Sequence, residues 1–286
     1  MVMEILSLGA GVQSSVVALM SEAGELPRLD AAIFADTGAE PDDVYEWLDW
    51  LEGRLSFPIH RVKHKSLETE DIERRTSKTS GRKYLRASVP LWVQRGPKMG
   101  GGLIRKCTRD YKIVPLLRKV KEIVGLGRRP DRILVRQWIG ISTDEAHRMK
   151  PPAKADRAWT QHWWPLIDAS MSRQDCLRWM ESRGYPTPPR SACVFCPYHS
   201  AAEWHRLQRD DPAGYERAAQ YEEAFQHGIR EWDAVLRADD VFCQKIVHAT
   251  PLREIHWADV LADKTVSKQL RLFGEWGNEC EGMCGL

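Results

Sequence analysis

Residues 6–15 read Leu-Ser-Leu-Gly-Ala-Gly-Val-Gln-Ser-Ser, small and hydroxyl side chains between two apolar runs. At a strand-to-helix joint, small residues let a ligand approach the backbone. Amide N–H groups and the positive end of the helix dipole favour an anion there, phosphate above all. Ser7, Ser14 and Ser15 can add hydroxyl donors, Gly9 and Gly11 permit tight turning, and Ala10 and Gln13 complete the loop. The loop lacks the lysine of a Walker motif and the spacing of a dinucleotide fingerprint, so an anion cradle and a plain turn both fit it.

Two further stretches end apolar runs with polar residues. In "FADTG", Asp36, Thr37 and Gly38 would stand at the carboxyl edge of a second strand, where open α/β sheets bind ligands. Asp36 could accept from a ribose or an adenine, hold Mg²⁺, or only cap the next helix. In "GISTDEAHRM", Gly140 precedes Asp144, Glu145 and Arg148. Arg148 could reach a phosphate while the acids hold a metal or orient the arginine, although Glu145 and Arg148 also have the spacing of a surface ion pair.

The chain has seven cysteines. Cys193-x-x-Cys196 has the spacing for two thiolates on one metal centre. Cys107 and Cys176 lie upstream. Cys176 falls on a helical pattern, where a buried apolar role is the alternative. A zinc site with His199 in place of one thiol is a second possibility. Near the end, "NECEGMCGL" carries Cys280 and Cys284, a pair in which one thiolate can attack a sulfur and the other resolve the product. A disordered tail or a second metal pair would fit the same residues. Cys243 reads as packing.

The elements that must position these residues follow from periodicity. "MEILSLG", "DAAIFADTG", "FPIHRVKH" and "DRILVRQWIGIS" read as strands, and "WWPLID" as a short extended piece. "SSVVALMSEAG", "EPDDVYEWLDWLEGR", "DYKIVPLLRKVKEIVG" and "SRQDCLRWMESRG" read as helices, the last with Ser172 as N-cap. This alternation predicts an α/β fold, a doubly wound parallel sheet over residues 1–197, with a C-terminal helical region over 198–286. Net charge is +2, yet residues 73–112 hold twelve Lys or Arg against Glu73 and Asp110. That basic insertion could meet a polyanion, or be a solvated loop. No apolar run approaches the ~18 residues of a membrane span, and the expectation is a cytoplasmic protein with reduced thiols and no membrane partner.

Taken in order, "SLGAGVQSS", "FADTGAEPDDVYEWLDW", "RKCTRDYKIVPLLR", "GISTDEAHRM" and "WPLIDASMSRQDC" resemble the PP-loop enzymes of the phosphoadenosine phosphosulfate (PAPS) reductase group, in the adenine nucleotide α-hydrolase superfamily. The resemblance runs over roughly residues 4–200. It implies a pyrophosphate or phosphosulfate loop at Ser7–Ser15 and adenosine contacts around Asp36–Gly38. The superfamily loop is usually Ser-Gly-Gly-x-Asp-Ser; here Gln13 stands where the acid would be. The iron–sulfur members place cysteine before a similar "RK..PL" stretch and a Cys-x-x-Cys further on. That implies a [4Fe–4S] cluster on Cys107, Cys193 and Cys196, with Cys176 as the chosen fourth ligand and Zn²⁺ as the alternative. PAPS reductases also end in a short cysteine tail, which Glu279-Cys280 resembles.

Three functions are compatible with these residues. An ATP-dependent enzyme would adenylate a substrate for sulfur transfer from a sulfur donor, on tRNA or DNA held by residues 73–112. A PAPS or adenylylsulfate reductase would use a tail thiolate, with Cys280, Cys284 and Arg148 as catalytic residues and a thiol reductant as partner. A non-catalytic nucleic-acid-binding module would keep the fold alone.

Overall fold

The computed structural model describes residues 2–63, 65–73, 75–81, 83–84, 88–95, 98–102, 105–127, 130, 132–232, 241–243 and 252. In chain order the elements are β1 (Met3–Leu8), α1 (Val12–Glu22), β2 (Ala31–Asp36), α2 (Asp42–Glu52), β3 (Ile59–Lys63), α3 (Leu67–Asp71), β4 (Arg75–Thr76), β5 (Lys83–Tyr84), β6 (Trp92–Arg95) and β7 (Lys98–Gly102). A π-helical turn (Thr108–Ile113), α4 (Val114–Ile123), β8 (Val135–Ile139), a 3₁₀ turn (Thr143–Arg148) and β9 (Thr160–Trp163) follow. The remainder is α5 (Pro165–Asp168), α6 (Arg173–Ser182), α7 (Ala201–Asp210), α8 (Pro212–Trp232) and β10 (Val241–Cys243).

The chain forms two compact units. The first comprises Met1–His64 and Thr108–Ser191. Its five-stranded sheet has the order β3-β2-β1-β8-β9, every pair parallel. Successive side chains of a strand point to opposite faces, and both faces are covered. On one face, Leu6, Leu8, Phe34 and Trp138 pack with α1, α2 and the Cys176 and Met180 of α6. On the other, Ile5, Ile33, Val135 and Ile139 pack with Leu116 and Val120 of α4. The doubly wound α/β sheet expected from the sequence is therefore borne out. Strand order reverses beside β1, and it is outside the carboxyl ends of strands at such a point, here β1 and β8, that open α/β sheets bind ligands.

One local feature departs from expectation. "WWPLID" is not one extended piece: β9 stops at Trp163 and Pro165 starts α5, its fixed φ suiting a first helical turn. The stretch before Pro115 winds as a π-helical turn ahead of α4. Ser172 does cap α6, in a reciprocal box with Asp175.

The second unit comprises Lys65–Cys107 and the described residues from Ala192 onward. The basic stretch contributes strands to it: β4 pairs with β5, and β6 pairs with both β7 and β10, all antiparallel. The packing thus groups residues 65–107 with the C-terminal region, although in sequence they interrupt the first unit. The reason is specific: Arg217 of α8 donates to Glu68 (2.8 Å) and Tyr221 to Asp71 (3.1 Å), both acceptors on α3. Among the described residues no helix is long and apolar enough to cross a membrane.

Burial in this unit has a cost visible in pH. Glu222 on α8 is 5% exposed, and burial pushes its carboxyl pKa up to about 8 against the pull of the Leu252 N–H. The folded state therefore holds this proton where the unfolded chain has released it. Stability should fall as pH rises from about 4.5 towards 8. In Glu222→Gln that part of the slope should vanish, as read by urea unfolding at several pH values; an unchanged slope would place its origin elsewhere.

Candidate functional site

The loop between β1 and α1 is shaped by its own atoms. Ser14 Oγ accepts from Gly9 N (3.1 Å) and donates to the Gly11 carbonyl (3.3 Å). The left-handed residue is Ala10, at φ 61°. Gly11 is the N-cap of α1, in extended conformation, with no side-chain cap and no acidic residue in the first turn. By contrast, α2 begins with Asp42 and Asp43, and α6 carries its capping box. The positive end of α1 is thus left unneutralised by its own sequence, at the crevice where strand order reverses.

Gly140 acts here through its lack of a side chain. A Cβ at this position would stand 2.7 Å from Ser14 N and 2.8 Å from Ser14 Cα, so β8 can end against the first turn of α1 only as glycine. Gln13, wholly buried, spans the same junction: its Nε2 donates to Ser142 Oγ (3.3 Å) and to Glu145 Oε2 (3.2 Å). An aspartate at position 13 would set carboxylate against carboxylate, whereas the amide supplies the donor Glu145 needs. Glu145 also pairs with Arg148, which holds that guanidinium one side chain away from the loop. Asp144 turns elsewhere, accepting from Arg173 N (3.1 Å) at the start of α6.

At the end of β2, Asp36 Oδ1 accepts from Gly38 N (2.7 Å) and from the Tyr45 hydroxyl (2.8 Å), and Lys63 lies 3.7 Å from Oδ2. Thr37 Oγ1 accepts from Ala39 N and donates to Glu40 Oε1, both at 3.3 Å. Glu40 is wholly buried and meets Lys112 Nζ at 3.2 Å. Sequence reasoning did not single out Glu40 or Lys112; an acid before a proline and a lysine in a basic run gave no sign that they would meet. Their ion pair puts a buried cation next to the β2 edge.

Some expected ligand contacts turn inward. Ser7, wholly buried in β1, accepts from Gln137 Nε2 of β8 (2.7 Å), and Ser15 accepts from Trp47 Nε1 (2.9 Å). Both are fully buried and serve packing. Ser14, Gln13, Asp36, Thr37, Gly38, Glu145 and Arg148 do gather at the carboxyl edge of the sheet.

Cys176, the chosen fourth ligand, is wholly buried in the apolar core of the first unit, where α6 packs on α1. Cys107, Cys193 and Cys196 belong to the second unit, half-buried as thiols. In the Cys193–Cys196 turn the middle residues Val194 and Phe195 are wholly buried, which leaves the cysteines at its edges. The turn is closed by Cys196 N on the Cys193 carbonyl (2.9 Å), a carbonyl His199 Nε2 also meets (3.0 Å). Through that bond His199 braces the turn. Burial first, then the charges of Asp71, Cys107 and Cys193, hold the Tyr221 hydroxyl well above its usual pKa. Among the described residues, no three Cys, His, Asp or Glu side chains are gathered as a closed coordination set. Cys280, Cys284, Arg82 and Arg86 lie outside the described residues, as does the side chain of Lys83.

No family model and no curated protein matches this chain. Among solved structures it is similar to phosphoadenylyl-sulfate (PAPS) reductase from Candida auris in a phosphate complex, at 12% identity, covering 65% of this chain and 74% of that one, with TM-score 0.40. It is also similar to the U34-tRNA thiolase NcsA from Methanococcus maripaludis with its [4Fe-4S] cluster, at 13% identity, covering 91% and 80%, with TM-score 0.33. At such identities and TM-scores these are neighbours by outline only, and chemistry must be read from this chain's own residues.

Two outcomes test the junction and the role of Cys176. Gly140→Ala should displace the loop and cost about 1–3 kcal/mol by overpacking, seen as a lower urea midpoint; wild-type stability would mean the two backbones can separate freely. Cys176→Ser should lower stability yet leave metal content unchanged, as measured by elemental analysis of the purified protein.

Proposed function

We propose that this chain is an ATP-binding PP-loop enzyme that adenylates a substrate for sulfur transfer, with a nucleic acid as the acceptor. The observation that carries the reading is the uncapped, acid-free N-terminus of α1 at the switch crevice, with Arg148 held beside it through Glu145 and Gln13. Backbone N–H groups of the first turn would take phosphate oxygens, and Arg148 would add a guanidinium matched to a phosphate. Asp36 and Gly38 would meet the nucleoside at the β2 edge, and the Glu40–Lys112 ion pair would brace that edge.

In the reaction, a substrate oxygen attacks the α-phosphorus of ATP and pyrophosphate leaves with the α–β bridging oxygen. A sulfur nucleophile then displaces AMP from the adenylated carbon. Positive groups at the crevice stabilise charge as it develops on the departing pyrophosphate. With Gln13 in place of an acid, Mg²⁺ would be held by the nucleotide phosphates and by Glu145 or Asp36.

Cys107, Cys193 and Cys196 fit an iron–sulfur cluster by donor chemistry: soft thiol ligands in one unit, two of them at Cys-x-x-Cys spacing. They would supply three ligands and leave the fourth position to a group from outside this set. Such a cluster would supply a place to hold a sulfur atom; the chain's own residues hold the Cys193–Cys196 turn. The basic stretch 73–112 supports a polyanionic acceptor, although Arg75 is engaged by Glu70 and Glu73 and Lys112 by Glu40.

Anaerobic protein mixed with ATP and Mg²⁺ should gain about 2.7 kcal/mol at a hundred times the dissociation constant, read as a higher melting temperature. PAPS should give no such shift. A shift with PAPS alone would make the protein a reductase whose nucleophile is a tail cysteine. Neutralising Arg82, Lys83 and Arg86 should weaken RNA binding and flatten its salt dependence; an unchanged slope would confine the acceptor to another surface.

A further inference from the structure

We infer that Asp71 is the positioning residue that sets the distance between Cys107 and the Cys193–Cys196 turn. The inference deepens the proposed sulfur chemistry of the second unit and rests on that reading.

Asp71 ends α3 and is wholly buried. Its Oδ2 accepts from Ser88 N (2.8 Å), Val89 N (3.0 Å) and the Tyr221 hydroxyl (3.1 Å). Each of these bonds leads towards a cysteine. The Ser88 carbonyl accepts from Lys106 N (2.9 Å) and from Cys107 N (3.0 Å), so the segment that Asp71 grips is the one that holds the Cys107 backbone. The Tyr221 ring stacks on Phe195, with centroids 4.1 Å apart and planes inclined by 11°. Phe195 is the wholly buried middle of the Cys193–Cys196 turn. One carboxylate therefore ties the backbone of Cys107, through Ser88, to the cysteine turn, through Tyr221 and Phe195.

A buried carboxylate is an expensive anchor, and among the described residues no cation pairs with it. Hydrogen bonds from backbone and phenol converge on Oδ2 instead, with directions fixed by the chain, while Oδ1 is buried with no hydrogen-bond partner among the described residues. Partners of this kind orient ligands without touching what the ligands hold, and their loss typically weakens metal binding by about 10–100-fold. Asp71 does this for segments that come together from distant parts of the sequence.

The test uses the full chain, prepared anaerobically, as wild type and as Asp71→Ala, Asp71→Asn and Tyr221→Phe. The first readout is the yield of a Cys107–Cys193 cross-link with a short bifunctional thiol reagent, mapped by peptide mass. The second is Co²⁺ titration, followed by thiolate-to-metal charge-transfer absorption. Asp71→Ala should lose most of the cross-link and bind Co²⁺ about 10–100-fold more weakly. Asp71→Asn keeps the accepting oxygen and should retain both signals. Tyr221→Phe keeps the stack on Phe195, loses the bond to Asp71, and should fall between. The ATP-induced thermal shift, a property of the first unit, should persist in every variant.

Wild-type cross-linking and affinity in both Asp71→Ala and Tyr221→Phe would overturn the inference, as would an Asp71→Asn as impaired as the alanine. Should Asp71→Ala fail to fold, Tyr221→Phe decides alone. A wild type whose thiols neither cross-link nor take up Co²⁺ would instead overturn the cysteine-centre reading, and the inference with it.

Discussion

Gly140 allows β8 to end against the backbone of Ser14, and the rest of the first unit is arranged around that approach. β1 and β8 are neighbours in the sheet, and the connections leaving them run in opposite directions. Close approach at their ends brings the start of α1 under the Ser142–Arg148 segment, where Gln13 can reach both Ser142 and Glu145. The apolar layers above and below the sheet stabilise the strands. They do not set the separation of these two loops; the missing side chain does.

At the start of α1 the helix's own first turn carries no acid, and the nearest carboxylate described, Glu145, is shared between Gln13 and Arg148. Acidic groups nearby are each committed to a local donor: Asp36 to Gly38 and Tyr45, Glu40 to Thr37 and Lys112, Glu145 to Gln13 and Arg148. Removing one partner of a buried pair such as Glu40–Lys112 leaves the other charge uncompensated, at a cost of roughly 3–5 kcal/mol.

Much of this was legible in the sequence, for physical reasons that differ from element to element. Apolar runs of the right length between turn residues gave the parallel sheet, and Ser172 announced the start of α6. The polar edge residues Asp36, Gln13 and Glu145 were visible because strand ends are where an α/β sheet exposes them. What stayed hidden depended on packing across long sequence separations. Ser7 and Ser15 look identical to Ser14 in a sequence, yet the tertiary partners Gln137 and Trp47 turn them inward. Cys176 has a thiol like the other cysteines, and only its place between α1 and α6 makes it a core residue. The grouping of residues 65–107 with α8 was equally silent, since an aspartate and a tyrosine so far apart carry no local sign of meeting.

Ala10 holds a left-handed backbone conformation that a side chain disfavours by roughly 1–2 kcal/mol. A glycine would relieve that strain, but it would also let the loop sample many shapes. By retaining a methyl group there, the chain accepts a standing strain in exchange for a turn with few alternatives, wedged in place because Ala10 is wholly buried. An anion bound at such a loop would meet a turn already in one shape. Binding would lose little conformational entropy, and selectivity would rest on whether a ligand's geometry matches a rigid mould, not on how far the loop can bend to meet it.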